Sequence, residues 1–454
     1  MKKGKAITLL TIISVITAFL LVMTFIRFPV GIKNYNSILG GIQLDYDIGG
    51  GYSYTLTLSE DNNEEVEDVN EVLDTIKSRL DTLGYTTYSV KALKPVDSAV
   101  KDYNIRIEAR PSINELGELD KSQMDADIKA VAAYGEVEIF GGESANPTTE
   151  ILTDVDTIES ANVAGSIVNE DGSVSYQVAI TLTQEAYDFL MLEMEEHSGS
   201  YYISIKLDDT ELLSGSSPLS QDYFMNRTLA ITCSSESDAK SFALQIGSGG
   251  LAYKYDFVGQ SGDAIQTPYG VLVSSPYGED VYTKSLIAIL ILNVVIMAAL
   301  IVLFRGYGII ASYSMLLFTL VEFAMIIAVP GIKLSMGGVI GIIISTIIAA
   351  NGFIITARKI CEEYSKGKTV KSAIKTAYAR SLKPILASGV ISGVIGLVAL
   401  LLISRTVKCF GITLGIGAVL GAIINLLIGR LFTTIFLPLV KNKESFFNLK
   451  REEE

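Results

Sequence analysis

Residues 285–304 read SLIAILILNVVIMAALIVLF, and residues 307–329 follow as YGIIASYSMLLFTLVEFAMIIAV. Each matches the roughly 20 apolar residues that carry a helix across a bilayer core. Only Arg305 and Gly306 separate them, and the only charged side chain inside either run is Glu322. Two adjacent spans of this kind decide the fold class: a multi-span α-helical membrane protein. Working outward, 334–356, 382–403 and 409–438 satisfy the same criterion, and so does 6–28 near the N-terminus. The N-terminal run follows Lys2, Lys3 and Lys5. It is too long for the apolar region of a cleaved signal peptide, and no small-x-small site follows it. We therefore expect six transmembrane helices.

Charge fixes the expected orientation. The segment between the fourth and fifth spans carries Arg358, Lys359, Lys366, Lys368, Lys371, Lys375, Arg380 and Lys383, offset only by Glu362 and Glu363. Short loops rich in Lys and Arg stay in the cytoplasm. That places 357–382 inside, both termini inside, and residues 29–284 outside. The C-terminal tail 441–454, with Lys441, Lys443, Lys450 and Arg451, agrees. Residues 29–284 hold 15 Lys and Arg against 43 Asp and Glu, a net of −28, while the rest of the chain nets +14. So acidic an ectodomain argues against nucleic acid, whose binding needs a basic surface.

Inside the ectodomain, YTLTL at 54–58 alternates as a half-exposed strand does. Val66, Val69, Leu73, Ile76, Leu80 and Leu83 then recur at helical spacing, and Gly84 supplies a stop. Strand patterns at 86–93 and 103–109, a helix over 118–133 and a strand at 135–140 complete a βαββαβ order, the ferredoxin-like pattern. Residues 141–225 break this rhythm with strands at 176–182 and 201–207 flanking a helix near 184–196. They are predicted to form an inserted, mobile head subdomain rimmed by Gly141-Gly142 and Ser214–Ser217. The base, 29–140, resumes over 226–258, where Ser235 and Asp238 fit a helix cap. Residues 259–284 read as a linker, 285–440 as a five-helix membrane domain, and 1–28 as the tail with the first span.

Chemistry-bearing motifs are sparse. Cys233, Cys361 and Cys409 share no metal-ligand or redox spacing. The single histidine, His197, has no evident partner in the sequence. There is no nucleophile elbow, phosphate loop or HExxH, so neither enzymatic activity nor a cofactor or metal is expected.

Several local patterns in fixed order resemble the SecD family. Gly40–Leu44 (GGIQL) resembles the family's opening strand without its Arg. Ile76–Gly84 (IKSRLDTLG) resembles its IxxRxDxLG helix end, and Ile205–Asp209 (IKLDD) its VLDG-type strand. Ala243–Leu251 (ALQIGSGGL) is similar to its LxxGALP segment. Glu362-Glu363, Gly367-Lys368, Val407-Lys408 with Phe410, and Arg430 stand at family-like places in the membrane part. The resemblance implies a member of the resistance-nodulation-division superfamily and an accessory role in the Sec translocase. It implies a SecF-like partner, indirect partnership with the SecYEG channel and the SecA motor, exported polypeptide as the object handled, and a place in the cell membrane bilayer.

One departure bears on mechanism. The family's fourth span carries a D-A-N triplet whose Asp handles protons. Anchored on Glu362-Glu363, it falls on Asn351-Gly352-Phe353, so Asn351 replaces the Asp; a shifted gap would put Ala349 there. Neither side chain is ionisable at physiological pH. The fifth span's L-D-S-N pattern reads Leu386-Ala387-Ser388-Gly389, which removes a second carboxylate. Both changes argue against proton coupling through the usual residues. Glu322 is the carboxylate left inside a span, and such acids are commonly functional. It is a candidate proton site, or else a glutamate paired within the bundle near Asn293 or Asn351. Arg430 is expected to balance Glu322 or to reach the interface. Glycines 337, 338, 341, 411, 415, 417 and 421 suit close helix packing or a partner interface. Two alternatives stay open: a small-molecule or lipid exporter of the same superfamily, and a non-transporting scaffold.

Overall fold

The computed structural model describes residues 3–447 and 449, except 31–32, 63–67, 94–102, 115–117, 153–156, 170–171, 198–200, 209, 217–225, 330–331 and 402–404. The chain divides into two compact units. One joins Met1–Gly50 to Ser274–Glu454, and the other is Gly51–Val273. The expected base therefore loses residues 29–50 to the membrane unit.

The membrane unit begins with α1 (Lys3–Phe25), a short hairpin β1 (Phe28–Val30) and β2 (Lys33–Tyr35), a 3-10 turn at Leu39–Gly41, and the one-turn helix α2 (Tyr46–Gly49).

In the α+β unit, β3 (Gly51–Leu58), α3 (Val69–Thr82), β4 (Tyr88–Leu93), β5 (Asn104–Ala109) and α4 (Lys121–Ala132) follow in order. Next come β6 (Val137–Gly142), β7 (Glu150–Ile151), β8 (Ile158–Val168), β9 (Val174–Leu182), α5 (Gln184–Glu196), β10 (Tyr202–Leu207) and β11 (Thr210–Leu213). The unit closes with β12 (Thr228–Cys233), α6 (Glu236–Ser248), β13 (Tyr255–Val258), β14 (Ala264–Ile265) and β15 (Val271–Val273). Local chemistry explains the helix bounds. Asp68 accepts the Asn70 N–H at 2.8 Å and opens α3. Val72, Ile76 and Leu80 stack one turn apart on the buried face of α3. Gly84 ends the helix at φ +90°, a left-handed angle that glycine adopts without strain. Ser235 accepts the Asp238 N–H at 3.1 Å and caps α6, as the sequence suggests.

Strand pairing revises the expected base. Its sheet runs β14-β13-β3-β5-β4, with β15 also on β3. The strand predicted at 135–140 does not belong to it. β6 pairs antiparallel with β10, from Leu207↔Val137 to Tyr202↔Gly142, in a second sheet ordered β11-β10-β6-β7. The fourth base strand is β13, which pairs with β3 after the whole insertion. β12, expected in the base, joins β9 and β8 in a third sheet. Part of the expected linker is also structured, since β14 and β15 extend the base sheet. Two apolar cores result. One, around Tyr54, Leu56, Ile76 and Ile107, lies under the base sheet. The other, around Val178, Leu190, Ile205 and Ile231, fills the head.

The membrane unit continues with α7 (Val281–Ala328), α8 (Met336–Ser365), α9 (Val370–Leu401), α10 (Arg405–Ile423), a π-helical turn at Ile424–Gly429, α11 (Arg430–Phe436) and α12 (Lys443–Phe446). Among the described residues five helices are long and apolar enough to cross a membrane. One of them, α7, spans 48 residues but is not one rod: Arg305 has φ 48°, ψ −120°. The Ser312 hydroxyl donates to the Met297 carbonyl at 3.0 Å, and the Thr319 hydroxyl to Asn293 Oδ1 at 2.8 Å. Residues 15 and 26 apart in sequence thus touch, so the two halves of α7 run antiparallel. A side chain at Gly308 would overlap the Leu300 carbonyl, which explains the glycine just past the bend.

The basic segment expected as a loop is mostly helix. α8 runs on to Ser365, Gly367 turns at φ +87°, and α9 starts at Val370. Its two acids organise the cations. Glu362 binds Lys359 and Lys366, each at 2.6 Å, and the buried Glu363 binds Lys368 and Arg380. Most of the span glycines pack internally. Added side chains at Gly396 and Gly411 would each meet the other's carbonyl, and at Gly341 the Thr413 hydroxyl.

Candidate functional site

α8, α9 and α10 with its π-helical turn enclose a groove lined by Asn351 and Gly352, by Ser388 and Gly389, and by Gly421 and Asn425. Asn351, where the resemblance predicts the first carboxylate, therefore meets Ser388 and Gly389, the residues that follow Ala387 at the second; Ala387 itself is not among the lining residues. All the groove's lining residues are uncharged. It can donate and accept hydrogen bonds but cannot take up or release a proton. Asn425 sits in the π-helical turn, a local widening often found at functional positions. Its Oδ1 accepts from the Thr356 hydroxyl at 3.4 Å, and its Nδ2 has no described partner. A side chain at Gly352 would overlap that Nδ2. Asn351 itself is exposed, so the groove opens on the surface of the unit.

Glu322 lies elsewhere. It is fully buried, takes a hydrogen bond from the Ser345 hydroxyl on α8, and leaves Oε2 without a described partner. A side chain at Gly417 of α10 would overlap Glu322 and Ser345. Asn293 pairs with Thr319 instead of Glu322. Arg430 is exposed at the start of α11, and no described ion pair joins it to Glu322. The structure thus does not bring Asn351, Glu322 and Arg430 together.

In the α+β unit, three of the ectodomain motifs converge. Arg79 is fully buried. It donates to Val131 O at 2.9 Å and to Ala133 O at the end of α4, to Ser248 Oγ at 2.8 Å and to Gly249 O at 2.7 Å. Helix C-termini carry unsatisfied carbonyls and partial negative charge, which a guanidinium fork answers. Burial lowers its pKa to about 10, opposed by the nearby Asp208 carboxylate, so it stays charged at neutral pH. Asp208 accepts the Gly135 and Glu136 N–H groups at 3.1 and 2.9 Å. Gly135 takes φ +74°, and a side chain there would press on Arg79 Nη2. This joint stands where α4 leaves the base and β6 enters the head, beside a cleft of about 360 Å³ between α4, α6 and β10. The IxxRxDxLG pattern pointed to Arg79 as a residue; its place at a joint depends on contacts with residues more than 50 positions away. His197 also gains partners that the sequence did not show: Glu143 at 3.2 Å, Glu193 at 3.6 Å and the stacked Tyr201 ring.

A third cluster lies just after the GGIQL stretch. Leu44 bridges Leu334 in parallel, with Asp45 N–H donating to Leu334 O at 3.0 Å and Leu334 N–H to Gln43 O at 2.7 Å. Asp47 accepts the Met336 N–H at 2.8 Å, at the N-terminus of α8. Burial raises the Asp47 pKa to about 6; the Met336 N–H opposes this and Asp45 adds to it.

The class these features define is a chain with several helices long and apolar enough to cross a membrane and an α+β unit inserted in sequence after the first of them. The chain is similar to SecD subunits. It is 23% identical over 378 residues to the protein translocase subunit SecD of Acidaminococcus fermentans, covering 77% of this chain and 83% of that one. It is 24% identical over 367 residues to SecD of Aquifex aeolicus, covering 77% and 68%. No protein-family model matches. A crystal structure of SecDF in its super-membrane-facing form shares the fold across 95% of this chain, with TM-score 0.68 and 17% identity. The chain spans 57% of that SecDF's length.

Proposed function

We propose that this chain is an accessory subunit of a protein translocase, assisting the export or release of polypeptides at the outer face of the cell membrane. The observation that carries the reading is the SecD match over 77% of the chain and 83% of the relative. In this reading the two halves of α7 are separate spans, six in all, with both termini inside and the α+β unit outside. The base sheet order β13-β3-β5-β4 supports a ferredoxin-like base, and the Arg79 joint supports a head that swings on it.

A SecF-like chain is the partner, with SecYEG and SecA as indirect ones. The groove supports the need for a partner. Supporting this, neutral Asn351, the position at which the resemblance expects a proton-handling Asp, lines it with uncharged Ser388 and Asn425, and it opens on the surface. A partner helix covering it supplies any titrating group, while Glu322, walled in by Ser345 and Gly417, serves packing. Exposed Asn351 also fits a scaffold that kept the fold without the motor. Purification of the full chain from its native membrane tests the assignment. A SecF-like chain is expected to accompany it; recovery with only lipid-synthesis enzymes contradicts it.

A further inference from the structure

We propose that the outer edge of β8 is a pairing site for an extended segment of polypeptide, added as a fourth strand to the β12-β9-β8 sheet. The inference rests on the polypeptide-handling role above and adds the means by which a chain is held.

β8 is the longest of the described strands, at 11 residues, and it lies at the edge of its sheet. One side pairs with β9 from Ile158↔Leu182 to Val168↔Val174. On the other side no described strand pairs with it; α6 packs on its backbone at Ala161, and beyond that point its edge lies open. From Asn162 to Val168 every residue is exposed, with Val168 at 71% and Ile167 at 45%. Exposed edges invite pairing, and proteins commonly blunt them with charge or proline. Three other sheet edges here follow that rule, with Lys91 on β4, Glu150 on β7 and Glu211 on β11, while β12 and β14 are uncharged but much shorter, at 6 and 2 residues against 11. Ser160–Asn169 (SANVAGSIVN) holds neither charge nor proline, in an ectodomain rich in acids.

An unpaired backbone row is complementary to another extended backbone. Strand addition draws affinity from main-chain hydrogen bonds and specificity from side-chain pockets. Here the flanking side chains are small or apolar and form no deep pocket, so selection by sequence is weak. That suits a site meeting many unrelated unfolded chains. The register shifts between Val163 and Gly165, leaving Ala164 bulged, with Gly165 at φ +152°. A second β8, bulged at the same point, matches this edge only on one side of the bulge. A flexible unfolded chain follows it past the kink.

The test uses the full chain in nanodiscs. The probe is a fluorescent 12-residue peptide of Thr, Val and Ser. Its control carries N-methyl groups on two adjacent central residues, so both peptide edges lose a donor while composition is kept. The expected result is at least tenfold weaker binding of the methylated peptide. A photo-crosslinker at Ile167 should capture the probe, and one at the more exposed Leu192 of α5 should not. Ser166→Pro and Ile167→Lys should both weaken binding severalfold with the head still folded. Equal binding of the two peptides, capture at Leu192, or crosslinks joining two copies of this chain overturns the edge assignment alone. If neither peptide binds, the polypeptide-handling role falls with it.

Discussion

Arg79 shows how a single buried cation can hold a joint. Removing it leaves carbonyls at the ends of α4 and α6 without donors in a closed site, and each such group costs about 1–3 kcal/mol. Arg79→Met is expected to destabilise the α+β unit by about 3 kcal/mol or more, read as the urea midpoint of its unfolding; a change below about 0.5 kcal/mol would mean water reaches those carbonyls. Asp47 allows a pH test with a defined sign. Its folded pKa of about 6 stands above the ordinary aspartate value of 3.8. The stabilisation that comes with its protonation is present below the lower value and is lost as pH rises through the higher one, an upper bound of about 3 kcal/mol. Thermal stability of the wild type should therefore fall from pH 4 to 7 more steeply than that of Asp47→Asn. Parallel curves would rule out Asp47 as the source. Glu322→Gln should lower yield or partner recovery more than it changes the dependence of export on external pH. A normal yield with the pH dependence abolished would make Glu322 a proton carrier. Asn351→Asp puts a titratable group into the groove, and the pH dependence of export in that variant should differ from that of the wild type; superimposable pH profiles would show that the groove lies outside any proton path.

At the scale of elements, helix–helix approach is set by glycines with no spare room. Gly352 faces Asn425 Nδ2 across the α8–α10 contact. Gly352→Ala should force the π-helical turn away and cost about 1–3 kcal/mol, typical of overpacking; a variant as heat-stable as wild type would show that Asn425 swings aside freely. Elements differ in how far the sequence discloses them. The membrane helices are legible because each apolar run carries its own length requirement. The helix α3 is legible because Asp68, the i, i+4 apolar ladder and Gly84 are local signals. The fourth strand of the base is not. GEVEIF at 135–140 and YDFV at 255–258 both look like strands, and nothing in their two-residue period says which partner each will choose. β6 found β10, and β13 found β3, across the insertion. The basic segment after α8 looked like a loop because charge hides helical periodicity, whereas Glu362 and Glu363 neutralise enough of it for the helices to continue.

For the whole molecule, the absence of ionisable groups at Asn351 and Ala387 is visible in the sequence, but the meeting of Asn351 with Ser388 and Gly389 in one open groove is not, because α8 and α9 have to be packed first. Pulse-labelled export of a secreted protein, followed in cells depleted of this chain, tests the central assignment most directly. Export is expected to slow severalfold on depletion and to recover when the wild-type chain is restored. Unchanged export rates in fully depleted cells would contradict a role in protein translocation.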